Sequence, residues 1–259
     1  MKNLVLNYIG GVDEVGRGPL AGPVVAASIV FNKDYVNPAV KDSKQLSKKK
    51  RVKMAKEIVN SAKELRVVCI GQRVIEKINI KNSAYAAMYL AAKGTKADIY
   101  FFDGLYAPKS LPAKAIVKGD RTVFQISAAS ILAKVWRDSL MDELSLFYPD
   151  YGFKRNSGYP TFLHKEAIKS VGISPLHRET FNGVRGSKNY IYLGEQYFNI
   201  PTYLKRFIYG EDVIFVSKDS YQVFLQTSFK ESLKNGGILI KGWESIKKVV
   251  KEEVNWESR

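Results

Sequence analysis

The sequence predicts an α/β protein. Short apolar runs of strand length alternate with segments whose apolar residues recur at helical spacing, several of the runs end on an acid, and a 46% hydrophobic content over 259 residues is enough to bury a sheet between helices. The first two runs, Tyr8–Val12 and Val24–Phe31, read as strands around a turn. Adjacent acids, Asp13 and Glu14, close the first run, and Gly16, Gly18, Gly22, Pro19 and Pro23 surround a single cation, Arg17, before the second. Neighbouring side chains of a strand point to opposite faces, so both acids cannot enter one core, and a carboxylate ending an apolar strand is costly unless something binds it. Two readings follow: a charged, glycine-rich surface hairpin, or a strand end that presents acids to a cation beside a loop whose bare backbone can approach a ligand.

The chain then enters its densest basic segment, Lys41–Arg51, with Ser43, Lys44 and a helix-capping Ser47. This segment is either a solvated face or a seat for phosphate made of hydroxyls, helix amides and lysines. Arg66–Val74 reads as a third strand and Asn79–Lys93 as a helix. Asp98–Phe102 is a strand ending in Asp103 and Gly104, and Ala115–Val117 ends in Lys118, Gly119 and Asp120. Asp120 alone reads as an ordinary cap, yet strands that end on Asp13, Asp103 and Asp120 form a set. In open α/β sheets such ends meet in one crevice, where like charges need a divalent cation.

Ile126–Leu144 is the clearest helix, with a broad alanine-rich face and with Ser130, Lys134, Arg137 and Asp138 on positions that can ring its edge. Gly158 and Pro160 fix a loop around Tyr159, whose ring is either packed or a plane for stacking on a sugar or base. Thr161 caps the next helix. His164 and His177 have no Cys or His partner at zinc spacing.

The chain carries 41 Lys+Arg against 25 Asp+Glu, a formal charge of +16. Residues 188–259 contribute 11 basic and 9 acidic side chains, so the field belongs to residues 1–187, and it favours a polyanion such as nucleic acid. Cys69 is the only cysteine, which suits a reducing cytosol, and neither a leader pattern nor a membrane-spanning apolar run is present; a cytoplasmic protein without a membrane partner is expected. The aromatic content of residues 188–259 predicts a folded C-terminal extension, with a hairpin over Asp212–Ser228 and a helix over Trp243–Glu253, in contact with substrate or with protein.

Gly16, Gly18 and Gly22 do not form a dinucleotide fingerprint, no phosphate-binding GKS or GKT loop occurs, and no serine or cysteine nucleophile has an organised base. Carboxylates without soft ligands select Mg²⁺ or Mn²⁺, and a pair of such ions can drive phosphodiester hydrolysis. The residues therefore describe a metal-dependent nuclease. A non-catalytic nucleic-acid junction-binding protein on the same fold is the alternative, although such a binder has reason to lose the acids.

The motifs also resemble a family. VDEVGRGPLAGPVVAA (Val12–Ala27), DSKQLS (Asp42–Ser47), FDG (Phe102–Gly104), KGD (Lys118–Asp120), ISAASILAKVWRD (Ile126–Asp138), GYPT (Gly158–Thr161) and HRETF (His177–Phe181) are similar, in this order, to ribonuclease HII, the type 2 ribonuclease H. Arg17 separates them from ribonuclease HIII, which has a lysine there. The resemblance implies a ribonuclease H-like mixed five-stranded sheet flanked by helices over residues 1–187, with residues 188–259 as an addition. It further implies hydrolysis of the RNA strand of RNA–DNA hybrids and incision 5′ to single ribonucleotides in duplex DNA, leaving 3′-OH and 5′-phosphate ends. Asp13, Glu14, Asp103 and Asp120 would hold two Mg²⁺ or Mn²⁺ ions. Gly16, Arg17, Gly18 and Tyr159 would recognise the ribose 2′-OH, with Ser43, Lys44 and Lys134 as further substrate contacts.

Overall fold

Seven strands form one mixed sheet in the computed structural model, which describes residues 6–40, 46–187, 200–227, 231, 238–245, 247 and 250. In chain order the elements are β1 (Tyr8–Val15), β2 (Val24–Asn32), α1 (Lys48–Ser61), β3 (Glu64–Ile70), α2 (Gln72–Ile78), α3 (Ile80–Lys93), β4 (Ile99–Asp103), β5 (Ala113–Ile116) and α4 (Phe124–Leu144). They continue with α5 (Phe153–Asn156), α6 (Phe162–Val171), α7 (Thr202–Tyr209), β6 (Asp212–Ser217), α8 (Lys218–Gln226) and β7 (Ile238–Gly242). The strand order is β5-β4-β1-β2-β3-β6-β7. β1 runs antiparallel to β2 and parallel to β4, and β4 is parallel to β5.

The alternation along β2 divides the core. Val25, Ala27, Ile29 and Phe31 face α1 and α4, while Val24, Ala26 and Val30 face α3. Both faces of a central strand are thus apolar, and the two helical layers leave only the strand ends open to solvent.

The sheet differs from the expected five strands. β1 to β5 supply those five, and β6 and β7 extend the sheet beyond β3 through antiparallel pairing. β1 also runs through Asp13 and Glu14 instead of stopping at Val12. The third strand ends at Ile70, not Val74, because the chain meets another backbone there. A Cβ on Gly71 would lie 2.2 Å from the Gly210 carbonyl oxygen, and α2 starts at once. The hairpin expected over 212–228 is a strand followed by a helix: the Ser217 hydroxyl accepts from the Ser220 N–H at 3.2 Å, which starts α8 where a turn was expected. The helix expected over 243–253 lies partly outside the described residues. α8 is bound firmly to the core. Buried Tyr221 donates its hydroxyl to the Leu132 carbonyl of α4 at 2.7 Å, and Trp136 packs against Tyr221 and Phe224 with centroids 5.6 and 5.0 Å apart.

Candidate active site

The parallel pairing of β1 with β4 ends at Val12 and Phe102, so the next residue on each strand is an acid: Asp13 and Asp103 lie side by side at one end of the sheet. After β5, Lys118 takes a left-handed conformation (φ 56°) and starts a 3-10 turn, Gly119–Arg121, that brings Asp120 back towards β4. The Asp120 N–H donates to Asp103 Oδ1 at 3.4 Å. Glu14 follows Asp13 on β1. All four acids line one cleft of about 390 Å³, together with Gly16, Arg17, Gly18, Ser130, Lys134 and Tyr159. Residues from five separate stretches of the chain therefore meet as the strand ends required.

The acids repel one another. Burial first, and then the charges of Glu14 and Asp103, push the Asp13 carboxyl well above the usual carboxylate range, against the Glu14 N–H at 2.7 Å and a hydrogen bond from Ser130. Burial also raises Glu14, opposed by Arg17, whose guanidinium lies 3.5 Å from it. The donor set is hard oxygen throughout, and a divalent cation would relieve both the crowding and the desolvation of these carboxylates. Among the described residues no group of three or more His, Cys, Asp or Glu side chains stands close enough together to hold a metal ion.

The neighbouring loop is arranged in the opposite way. Gly16 has φ +98°, and a Cβ there would lie 2.5 Å from Arg137 Nε, so only glycine fits. At Gly18 a Cβ would meet nothing nearer than the Tyr159 ring at 3.6 Å. The fold does not demand that second glycine, whereas a ligand passing between loop and ring would. Arg137, buried in α4, donates to the carbonyls of Pro23 (2.9 Å), Ala21 (3.1 Å) and Ser157 (2.8 Å), tying the loop after β1 to the loop that carries Tyr159.

Lys134 projects from α4 into the cleft, where its ammonium lies 5.6 Å from the centre of the Tyr159 ring. Asp138 holds it at 2.7 Å and is itself 3.7 Å from Arg51, so Asp138 anchors cations and takes no place among the four acids. Ser43 and Lys44 lie outside the described residues; the other nine residues singled out from sequence all line the cleft.

The two histidines form a buried pair. The Ser174 N–H donates to His177 Nδ1 at 2.9 Å, which leaves His177 Nε2–H to donate to His164 Nε2 at 3.0 Å, and His164 Nδ1–H to donate to the Tyr159 carbonyl at 2.9 Å. Only neutral rings complete this chain. Burial, and then the charge of His164, pushes His177 down to about 3. Sequence reasoning missed this pair and the bond from Ser130 to Asp13, because both depend on contacts across distant segments.

A mixed sheet whose strand ends carry four acids into one cleft, lined also by two glycines, Arg17 and Lys134, is the arrangement of the ribonuclease H class of divalent-metal-dependent nucleases. The family model for ribonuclease HII matches residues 10–184. The chain is 46% identical over 178 residues to ribonuclease HII of Lactobacillus delbrueckii subsp. bulgaricus, covering 68% of this chain and 70% of that one. It is 44% identical over 186 residues to ribonuclease HII of Chlamydia pneumoniae, covering 69% and 85%. Among solved structures, ribonuclease H2 from Pyrococcus horikoshii OT3 superposes with a TM-score of 0.60 at 26% identity, over 74% of this chain and 100% of that one. The chain belongs to the ribonuclease HII family. It is accordingly a nuclease, a hydrolase of phosphodiester bonds in the class that acts on the RNA strand of RNA–DNA hybrids, and the non-catalytic alternative falls away. No helix among the described residues is long and apolar enough to cross a membrane.

Proposed function

We propose that this nuclease, besides cutting the RNA strand of hybrids, incises duplex DNA on the 5′ side of a single embedded ribonucleotide, with Asp13, Glu14, Asp103 and Asp120 holding two Mg²⁺ or Mn²⁺ ions. The observation that carries the proposal is that one cleft joins the four acids to the Gly16–Gly18 loop and Tyr159. When bound, such ions lower the pKa of water and stabilise charge on the departing oxygen. The chain's own groups position the substrate. Gly16, Arg17 and Gly18 offer backbone at the ribose, Tyr159 offers a ring and a hydroxyl, and the 2′-OH is the group that separates RNA from DNA. Lys134 meets a phosphate at the cleft edge, and Ser130 orients Asp13. The water oxygen bonds to phosphorus as the P–O3′ bond breaks, leaving a 3′-OH on the upstream strand and a 5′-phosphate on the ribonucleotide.

The test is a cleavage assay with Mg²⁺ and with Mn²⁺ on three duplexes: a hybrid, a DNA duplex with one ribonucleotide, and the all-DNA duplex. The proposal predicts one cut 5′ to the ribonucleotide and none in DNA alone. Hybrid cutting without incision at the single ribonucleotide would overturn it.

A further inference from the structure

Arg178 is a buried cation with no part in the scheme above. Its side chain is 0% exposed and makes five hydrogen bonds to backbone carbonyls: Gly16 (2.7 Å), Arg17 (3.2 Å), Pro19 (2.9 Å) and two to Gly22 (2.9 and 2.8 Å). Burying a guanidinium is costly, and packing alone is achieved more cheaply by an apolar side chain of similar size. What this cation does that an apolar residue cannot is fix the direction of the carbonyls.

That direction has a consequence on the opposite side of the loop. No peptide bond among the described residues is cis, so the C=O and N–H of each unit in this loop point in opposite directions. Drawing the Gly16 and Arg17 carbonyls towards Arg178 turns the N–H groups of Arg17 and Gly18 away from it. Both residues line the cleft opposite Tyr159. Arg178 reaches this place from a short bridge between Ala21 and His177, and its own N–H donates to the Leu20 carbonyl at 2.8 Å.

We infer that Arg178 is a positioning residue for sugar recognition: by holding the Gly16 and Arg17 carbonyls inward, it aims the Arg17 and Gly18 N–H groups at an acceptor oxygen on the substrate ribose. The inference rests on the reading that this loop recognises the 2′-OH. Arg178 touches neither substrate nor reacting atoms. It acts through the loop, so its loss removes discrimination between sugars and leaves the acids in place.

The test compares the protein with its Arg178→Lys variant on two duplexes that differ at one position, a ribonucleotide or its 2′-fluoro counterpart, which is a poor acceptor of similar size. Lysine keeps the charge but cannot reach four carbonyls at once. The expected result is a rate on the ribonucleotide lower by about tenfold, with the 2′-fluoro rate little changed, so that the ratio of the two collapses. Equal losses on both duplexes, or an unchanged ratio, would overturn the positioning role and leave 2′-OH recognition standing. A parent protein that cuts both duplexes equally would overturn both. If thermal melting shows that the variant does not fold, amide exchange on the unmodified protein in EDTA decides. Binding the ribonucleotide duplex should slow exchange at Arg17 and Gly18 by about tenfold relative to binding all-DNA duplex, and equal protection by the two duplexes would refute the inference.

Discussion

The two halves of the cleft contrast in how they are held. On the loop side, Gly16–Pro23 is fixed by two buried arginines that satisfy its carbonyls, and Tyr159 is fixed through its own carbonyl by a pair of neutral histidines. On the acid side, buried carboxylates crowd one another, and Asp13 and Glu14 are pushed towards their protonated forms. Under the proposed function, the recognising half would be assembled before anything binds, whereas the crowded acids would be relieved only when a cation arrives. Electrostatic crowding is confined to the acids, beside a loop whose carbonyls are held by buried donors, which is where a site proposed to read one group and cut at another would keep them.

The largest way to break this contrast is at the acids. Asp13→Asn removes a proposed metal ligand along with a buried, crowded carboxyl, so cleavage should fall by about a thousandfold or more, which is roughly 4 kcal/mol of transition-state stabilisation. The melting temperature in EDTA should stay level or rise. The sign follows from linkage: a carboxyl raised in the folded state costs stability once the pH exceeds its unfolded value. Mg²⁺ should therefore raise the melting temperature of the parent more than that of the variant, and a cleavage rate close to the parent's would defeat the metal assignment.

The histidine pair responds to acid. With His177 pushed down to about 3, the unfolded chain binds a proton that the folded chain refuses between the unfolded value near 6.5 and that point. Stability should then fall as pH drops through this window, by up to about 1.4 kcal/mol per unit. Replacing His177 with Asn should flatten the slope, as read by urea melts at pH 7 and pH 5. Gly16→Ala should cost about 2 kcal/mol through its positive φ and the approach to Arg137. Gly18→Ala sharpens the contrast further. It should leave the urea midpoint unchanged while slowing incision at a ribonucleotide by about tenfold, because its methyl group fills the gap before Tyr159 without disturbing the fold.

Much of this was legible in the sequence. Each cleft acid follows an apolar strand or short turn, a local pattern, and a parallel sheet carries such ends to one place; Asp13, Asp103 and Asp120 could therefore be grouped without coordinates. The Gly-Arg-Gly loop was visible because glycine is a local statement about backbone. Arg178 was not, since nothing near it in sequence says that its partners lie roughly 160 residues earlier. β6 was recognised as extended, but its place beside β3 was not, because one strand's alternation does not name its neighbour. The C-terminal residues consequently read as an appendage, although Tyr221 and Leu225 complete the apolar core behind α4.

Binding without metal tests the contrast most directly. In EDTA, where no cutting occurs, the affinity of the protein for a DNA duplex carrying one ribonucleotide should exceed that for the all-DNA duplex by about tenfold, the worth of one or two hydrogen bonds to the 2′-OH. Adding Mg²⁺ should switch on cutting while leaving that ratio in place. If the two duplexes bind equally until metal is supplied, recognition is not assembled in advance and the division of the cleft into a rigid reader and a strained cutter is wrong.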